Sequence, residues 1–121
     1  MHRTTLVLIS VLLVSCAGAR PTEESFSVAE TAIDAAVRAG AEEHSPVELR
    51  FAREKLAEAH KGVEYKQYDK SIVLVEESEI NSELAIEKSR AAEIRNKVAE
   101  LARQNEILRE DFERTYGEVP Q

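Results

Sequence analysis

The chain contains one cysteine, Cys16, and three histidines, His2, His44 and His60. A thiol is the side chain most open to alkylation, provided its thiolate can be reached. There is no second cysteine in the sequence, so an intrachain disulfide is excluded. His44 and Glu48 stand four residues apart, as do His60 and Glu64. That spacing puts each pair on one helix face. Such pairs are a weak basis for a metal site. No cysteine ligand and no HExxH pattern accompanies them. The bland reading, solvated polar pairs on helices, is the one we adopt. No serine has a nucleophile elbow around it, and there is no glycine-rich phosphate loop. The expectation is a protein that is not an enzyme, with no catalytic residues, no cofactor and no metal.

Chemistry therefore concentrates at Cys16. His2 and Arg3 form a short basic head, and Leu6 to Val14, "LVLISVLLV", is an apolar run broken by Ser10. Ser15 and Cys16 follow, then a polar stretch with Pro21 and two glutamates. A basic head, a short apolar run and a small residue at the cut are the layout of a secretory signal. A bilayer-spanning helix needs about 20 apolar residues. Leu13-Val14-Ser15-Cys16 also resembles the lipobox of bacterial lipoproteins. The resemblance implies cleavage between Ser15 and Cys16, a diacylglyceryl thioether on the Cys16 sulfur and an acylated new amine. Two or three chains anchor firmly where a single chain is marginal. Ala17 stands where an Asp would favour retention in the inner membrane. The resemblance so implies a lipid-anchored, periplasm-facing protein of the outer membrane, or of the cell membrane in a Gram-positive envelope.

Loss of residues 1–15 removes Arg3 and takes the net charge from −7 to −8. An acidic surface lacks the basic stripe that nucleic acid requires, and it offers anionic headgroups no electrostatic attraction. About a third of the residues are charged, there is no Trp, and Gly and Pro are scarce. This is the composition of long helices.

The elements that must carry any surface follow from periodicity. Residues 1–15 are a signal peptide, and 16–25 a lipidated cysteine with a polar tether. Residues 26–116 form one helical domain, and 117–121 a tail. Phe26, Ala29, Ile33, Val37 and Gly40 make one stripe and predict a helix over about 26–43. Ser45, Pro46 and Glu48 read as a capping box with Pro at the first helical position, opening a second helix over about 46–66. Its stripe is Leu49, Ala52, Leu56, Ala59 and Val63. Asp69 is a plausible cap for a third helix over about 70–115, which no Pro or Gly interrupts. The fold class is all-α: a helical hairpin or three-helix bundle with a long, coiled-coil-like C-terminal helix.

The long helix keeps heptad spacing. Ile80, Ile94, Leu101 and Leu108 fall at d positions, with Glu87 the exception; Leu84, Ala91, Val98, Asn105 and Phe112 fall at a. The first two helices are long enough to cover only its first half. A tail from 91 to 116 then exposes a seam of Ile94, Val98, Leu101, Asn105, Leu108 and Phe112. A continuous apolar stripe in water implies a partner. Asn105 at an a position sets register in parallel dimers. Glu83 would meet Lys88 of a parallel partner, but Arg90 would meet Arg95, so parallel and antiparallel pairing both stay open. A homodimer or another envelope protein is the expected partner, beside the membrane itself through Cys16.

The stretch from His44 to Glu93 resembles small bacterial lipoproteins carrying domain of unknown function 4398. Pro46, Glu48, Leu49, Ala52, Lys55, Leu56, Ala59, Tyr68, Glu76, Glu83, Leu84 and Ala85 carry the match, over about residues 28–105. Ser71 and Ile72 depart from it, standing where relatives often have Ala. The resemblance implies a fold and an address but no activity. The expected function is a membrane-anchored envelope lipoprotein serving as a non-catalytic helical scaffold or interaction module in the periplasm. The alternative is a periplasmic chaperone or ligand-binding carrier that uses an apolar helical groove.

Overall fold

The computed structural model describes residues 19–117. The lipobox from Leu13 to Cys16 and the sorting position Ala17 lie outside the described residues. Four helices follow one another: α1 (Glu23–Arg38), the single turn α2 (Ala41–His44), α3 (Pro46–Glu64) and α4 (Tyr68–Tyr116). The fold is all-α, as the periodicity predicts. α1, α3 and the first half of α4 form an up-down-up bundle. α1 starts beside the start of α4, where Arg20 lies over the Tyr68 ring. α3 runs back antiparallel to both.

The helix ends differ from the sequence reading in instructive ways. α1 begins three residues early, within the expected tether, because Thr22 caps it: its hydroxyl accepts from the Ser25 amide at 3.1 Å, and Ser25 Oγ donates to Thr22 O at 2.7 Å. It also stops early. Gly40 takes a left-handed φ of 80°, the conformation a glycine reaches without a Cβ penalty, and α2 starts afresh beyond it. So Gly40 terminates a helix instead of extending its stripe. The capping box at Ser45 is not made. Ser45 is the N-cap of α3, but its side chain forms no cap bond, its hydroxyl is buried without a partner, and Glu48 reaches across to Lys88 instead. α4 starts at Tyr68 with Gln67 as N-cap, so Asp69 lies in the first turn, where its charge favours the helix dipole.

The turn between α3 and α4 is a Schellman motif. Gln67 N donates to Gly62 O at 2.7 Å and Lys66 N to Val63 O at 3.0 Å. Lys66 occupies the left-handed position at φ 58°, where a glycine is usual. The turn thus carries no glycine signal at its key residue, which is why the end of α3 is poorly marked in the sequence.

The core sets a few large residues among many small ones. Phe26, Ala29, Ile33 and Ala36 of α1 and Leu49, Ala52, Leu56, Ala59 and Gly62 of α3 pack against α4. α4 answers with Ser71, Leu74, Val75, Ser78, Ser82, Ala85 and Ser89. With Leu84 at position a, Ser71, Ser78 and Ala85 are b positions and Val75, Ser82 and Ser89 are f positions, the side opposite the a/d seam. Small side chains let the helices approach closely. Their hydroxyls are all satisfied: Ser71, Ser82 and Ser89 donate to the carbonyl four residues back, at 3.0, 2.9 and 2.7 Å. Ser78 donates across the interface to Ala52 O at 2.8 Å. Buried hydroxyls with partners avoid the desolvation penalty of orphaned ones.

Candidate functional site

The large apolar a/d residues of α4 do not pack into the bundle, which meets this register only through the ion pairs of Lys70 and Glu77 with α3. Ile80 is 62% exposed and Leu84 45%, although both lie in the half of α4 that α1 and α3 cover. Both therefore belong to the outward heptad seam and not to the bundle core. The bundle has taken the b/f stripe of small residues and turned a and d outward. Val73, one heptad before Ile80, is exposed on the same line.

Beyond Ala92 every residue of α4 is exposed. The reason is legible in the b/f stripe, which changes after Ser89 and Ala92 to Asn96, Arg103, Glu106 and Glu110. Those side chains cannot be buried cheaply against a second helix, so the bundle ends there. About 24 residues of α4, near 36 Å, stand free. The six seam residues Ile94, Val98, Leu101, Asn105, Leu108 and Phe112 all lie on this free part and are all exposed. The structure places them on one side of one helix. Ile94, Val98 and Leu108 are each at least 60% exposed. Asn105 Nδ2 donates to Leu101 O at 3.2 Å, turned back on its own helix. Phe112 and Tyr116 rings lie 4.9 Å apart at the tip.

The seam is therefore longer than the six residues from Ile94 to Phe112. It runs from Val73 to Phe112, a continuous line on the face away from α1 and α3. The signal that could have shown this is the serine spacing: Ser71, Ser78, Ser82 and Ser89 share a heptad frame of their own, and two frames on one helix need two partners.

Around the seam the α3–α4 contact is stitched by ion pairs. Lys55 Nζ lies 2.6 Å from Glu77 Oε2, Lys70 Nζ 2.6 Å from Glu58 Oε1, and Lys88 bonds Glu48. The hydrogen bond from Lys88 holds the Glu48 carboxyl below the ordinary glutamate range. Lys70 does the same for Glu58, and Glu77 lifts Lys55 above the ordinary lysine range. The two His–Glu pairs are not assembled as a site. Glu48 belongs to Lys88, and the His60 ring stacks on Phe26 with centroids 4.2 Å apart. Among the described residues no three His, Cys, Asp or Glu side chains converge as a metal site would require. A shallow concavity of about 560 Å³ lies beside Pro46 and Leu49 and is rimmed by Glu42, Arg50, Arg53 and Glu54. Its rim charges largely neutralise one another, as Arg53–Glu42 at 3.3 Å and Arg50–Glu54 at 3.6 Å. No described helix is long and apolar enough to cross a membrane.

Residues 24–101 match a family model described as a domain of unknown function, DUF4398. The chain belongs to this family. The matched stretch takes in the whole bundle and the first turns of the free helix. In family terms, then, the packed unit and the base of its projection are one module. No curated protein and no solved structure matches the chain.

Proposed function

We propose that the protein is a membrane-anchored envelope lipoprotein that works as a non-catalytic helical scaffold, facing the periplasm. The observation that carries the scaffold reading is the exposed a/d seam from Val73 to Phe112, on the face of α4 that its own bundle leaves bare. Exposed apolar surface arranged in a heptad frame is surface kept for another helix. It is an open line on a single helix with no second wall, which favours helix pairing over the chaperone or carrier alternative, since a carrier encloses its ligand in a groove. The anchor is supported by the sequence "LVSC" and by the short segment between Cys16 and the cap at Thr22. That segment spans about 20 Å when extended, so the bundle is held close to the bilayer surface.

The anchor is tested by Cys16→Ser in the full chain. The expected result is loss of acylation at residue 16, with the protein leaving the membrane pellet or keeping its leader. A Cys16→Ser protein found in the pellet at its mature size refutes the lipid anchor.

A further inference from the structure

We propose that the seam is covered by a second copy of this chain, antiparallel, in one defined register. This deepens the scaffold reading and rests on it for the seam alone, not for the lipid anchor. In an antiparallel coiled coil, a positions face d positions of the partner. The seam carries two polar residues near its middle, Asn105 at a and Glu87 at d. When Asn105 faces the partner's Glu87, the pairing is fixed for the whole helix. Leu84 then faces the partner's Leu108, and Val98 the partner's Ile94. Phe112 faces the partner's Ile80, and the small Ala91 faces the partner's Leu101. At the ends Glu77 faces the partner's Thr115. Every apolar layer meets an apolar layer. The Asn105 amide, which otherwise turns back on Leu101 O at 3.2 Å, meets a carboxylate acceptor.

The neighbouring choices fail on the same residues. A shift of one heptad sets Asn105 against Ile80 or Ile94 and Glu87 against Val98 or Phe112. A parallel pair sets Glu87 against Glu87 in the core and Arg90 beside Arg95. Burying an unpaired carboxylate is costly, so this one register stands apart.

The geometry permits it. The overlap, residues 77–115, is about 58 Å long. At about 10 Å wide it buries some 600 Å² of each copy, about 1,200 Å² in all, which reaches the lower bound for specific interfaces. α1 and α3 pack on the b, f and e side of their own α4, and the large a/d residues from Ile80 to Phe112 stay exposed for the partner. The tail-half seam of one copy covers the bundle-half seam of the other, which accounts for the exposure of Ile80 and Leu84 as well as of the tail. Like charges oppose association: Arg95 and Lys97 meet their own counterparts near the two-fold axis at residue 96, and Glu83 stands beside the partner's Asp111. Dimerisation therefore tightens as salt screens those charges.

The test places cysteines at Leu84 and at Leu108 in the full chain in mild detergent, with Cys16→Ser to silence the native thiol. Both sites are exposed, so the bundle is undisturbed. In the proposed register Leu84 and its counterpart lie about 36 Å apart, and so do the two Leu108 residues. A short bismaleimide should link neither single variant to itself. It should link the two variants mixed in equal amounts, and the yield should rise with salt. Self-linking of Leu84→Cys shows a parallel pair and overturns the proposal. So does an unlinked mixture that sediments as monomer at every concentration, which leaves the seam to a different partner. Neither result bears on lipidation, which the Cys16→Ser fractionation reads separately.

Discussion

Gly62 shows how closely single atoms are fitted in this bundle. It sits within α3, buried, where helix propensity alone would prefer alanine by about 1 kcal/mol. A Cβ there would lie 2.3 Å from Ser71 Oγ. That oxygen is held by its bond to Gln67 O, and Ser71 Cβ is a comfortable 3.5 Å away. Gly62→Ala should therefore lose its propensity gain to the clash and destabilise by about 1 kcal/mol or more. Ser71→Ala removes the offending oxygen at the cost of one hydrogen bond. The double variant should be more stable than Gly62→Ala alone, by chemical denaturation. A simple sum of the two single effects would show that the clash is absent. In the sequence Gly62 looks like a weak point ending a helix; its reason is a contact nine residues away that no local pattern displays. Lys66 is the matching case, a left-handed residue with no glycine to announce it.

At the level of the helices, the long one has two faces, and its heptad pattern displays one of them. The hydrophobic heptads from Ile80 to Phe112 were legible because large apolar residues at three- and four-residue steps are conspicuous. The serine and alanine stripe was not, because buried serine is uncommon and carries no hydrophobic signal. Only the carbonyls that accept from those hydroxyls make the stripe a core. The three long helices and their order were legible, though not the break at Gly40 that splits off α2, and so was the point where the bundle ends, since α1 and α3 are too short to cover α4. The three pairs that lock α3 to α4 also make a pH prediction. Glu48 and Glu58 have carboxyl groups held below the ordinary value in the fold, so their contribution is complete above that value, about pH 4.3. It is lost as pH falls through the lower folded values. Lys55 is raised by Glu77, so its contribution is complete below about pH 10.4 and is lost as pH rises beyond. The part of the thermal stability that these three pairs contribute should be constant between these limits and weaken on both sides. Glu48→Gln should flatten the acid side; an unchanged acid limb would mean that the Lys88 pair does not persist in solution.

Taken whole, the molecule is a bundle of roughly 70 residues with a helix that outruns it by about 36 Å. Nothing past Ala92 is buried among the described residues. A chain ending there should unfold with a free energy within about 0.5 kcal/mol of the dilute full chain, as measured in urea. A loss of several kcal/mol would mean that the tail folds back on the bundle. The proposed anchor rests on the sequence "LVSC" alone, which lies outside the described residues.

The chain enters the bundle at the foot of α4, with Arg20 on Tyr68, and leaves it at the far tip beyond Tyr116. α1 and α4 run side by side in the same direction. A pull between the two ends would therefore drag them past each other lengthwise, loading their contacts together instead of unzipping them one by one. Anything tethered at one end and gripped at the other would be resisted in shear, the stiffer way to stretch such an assembly.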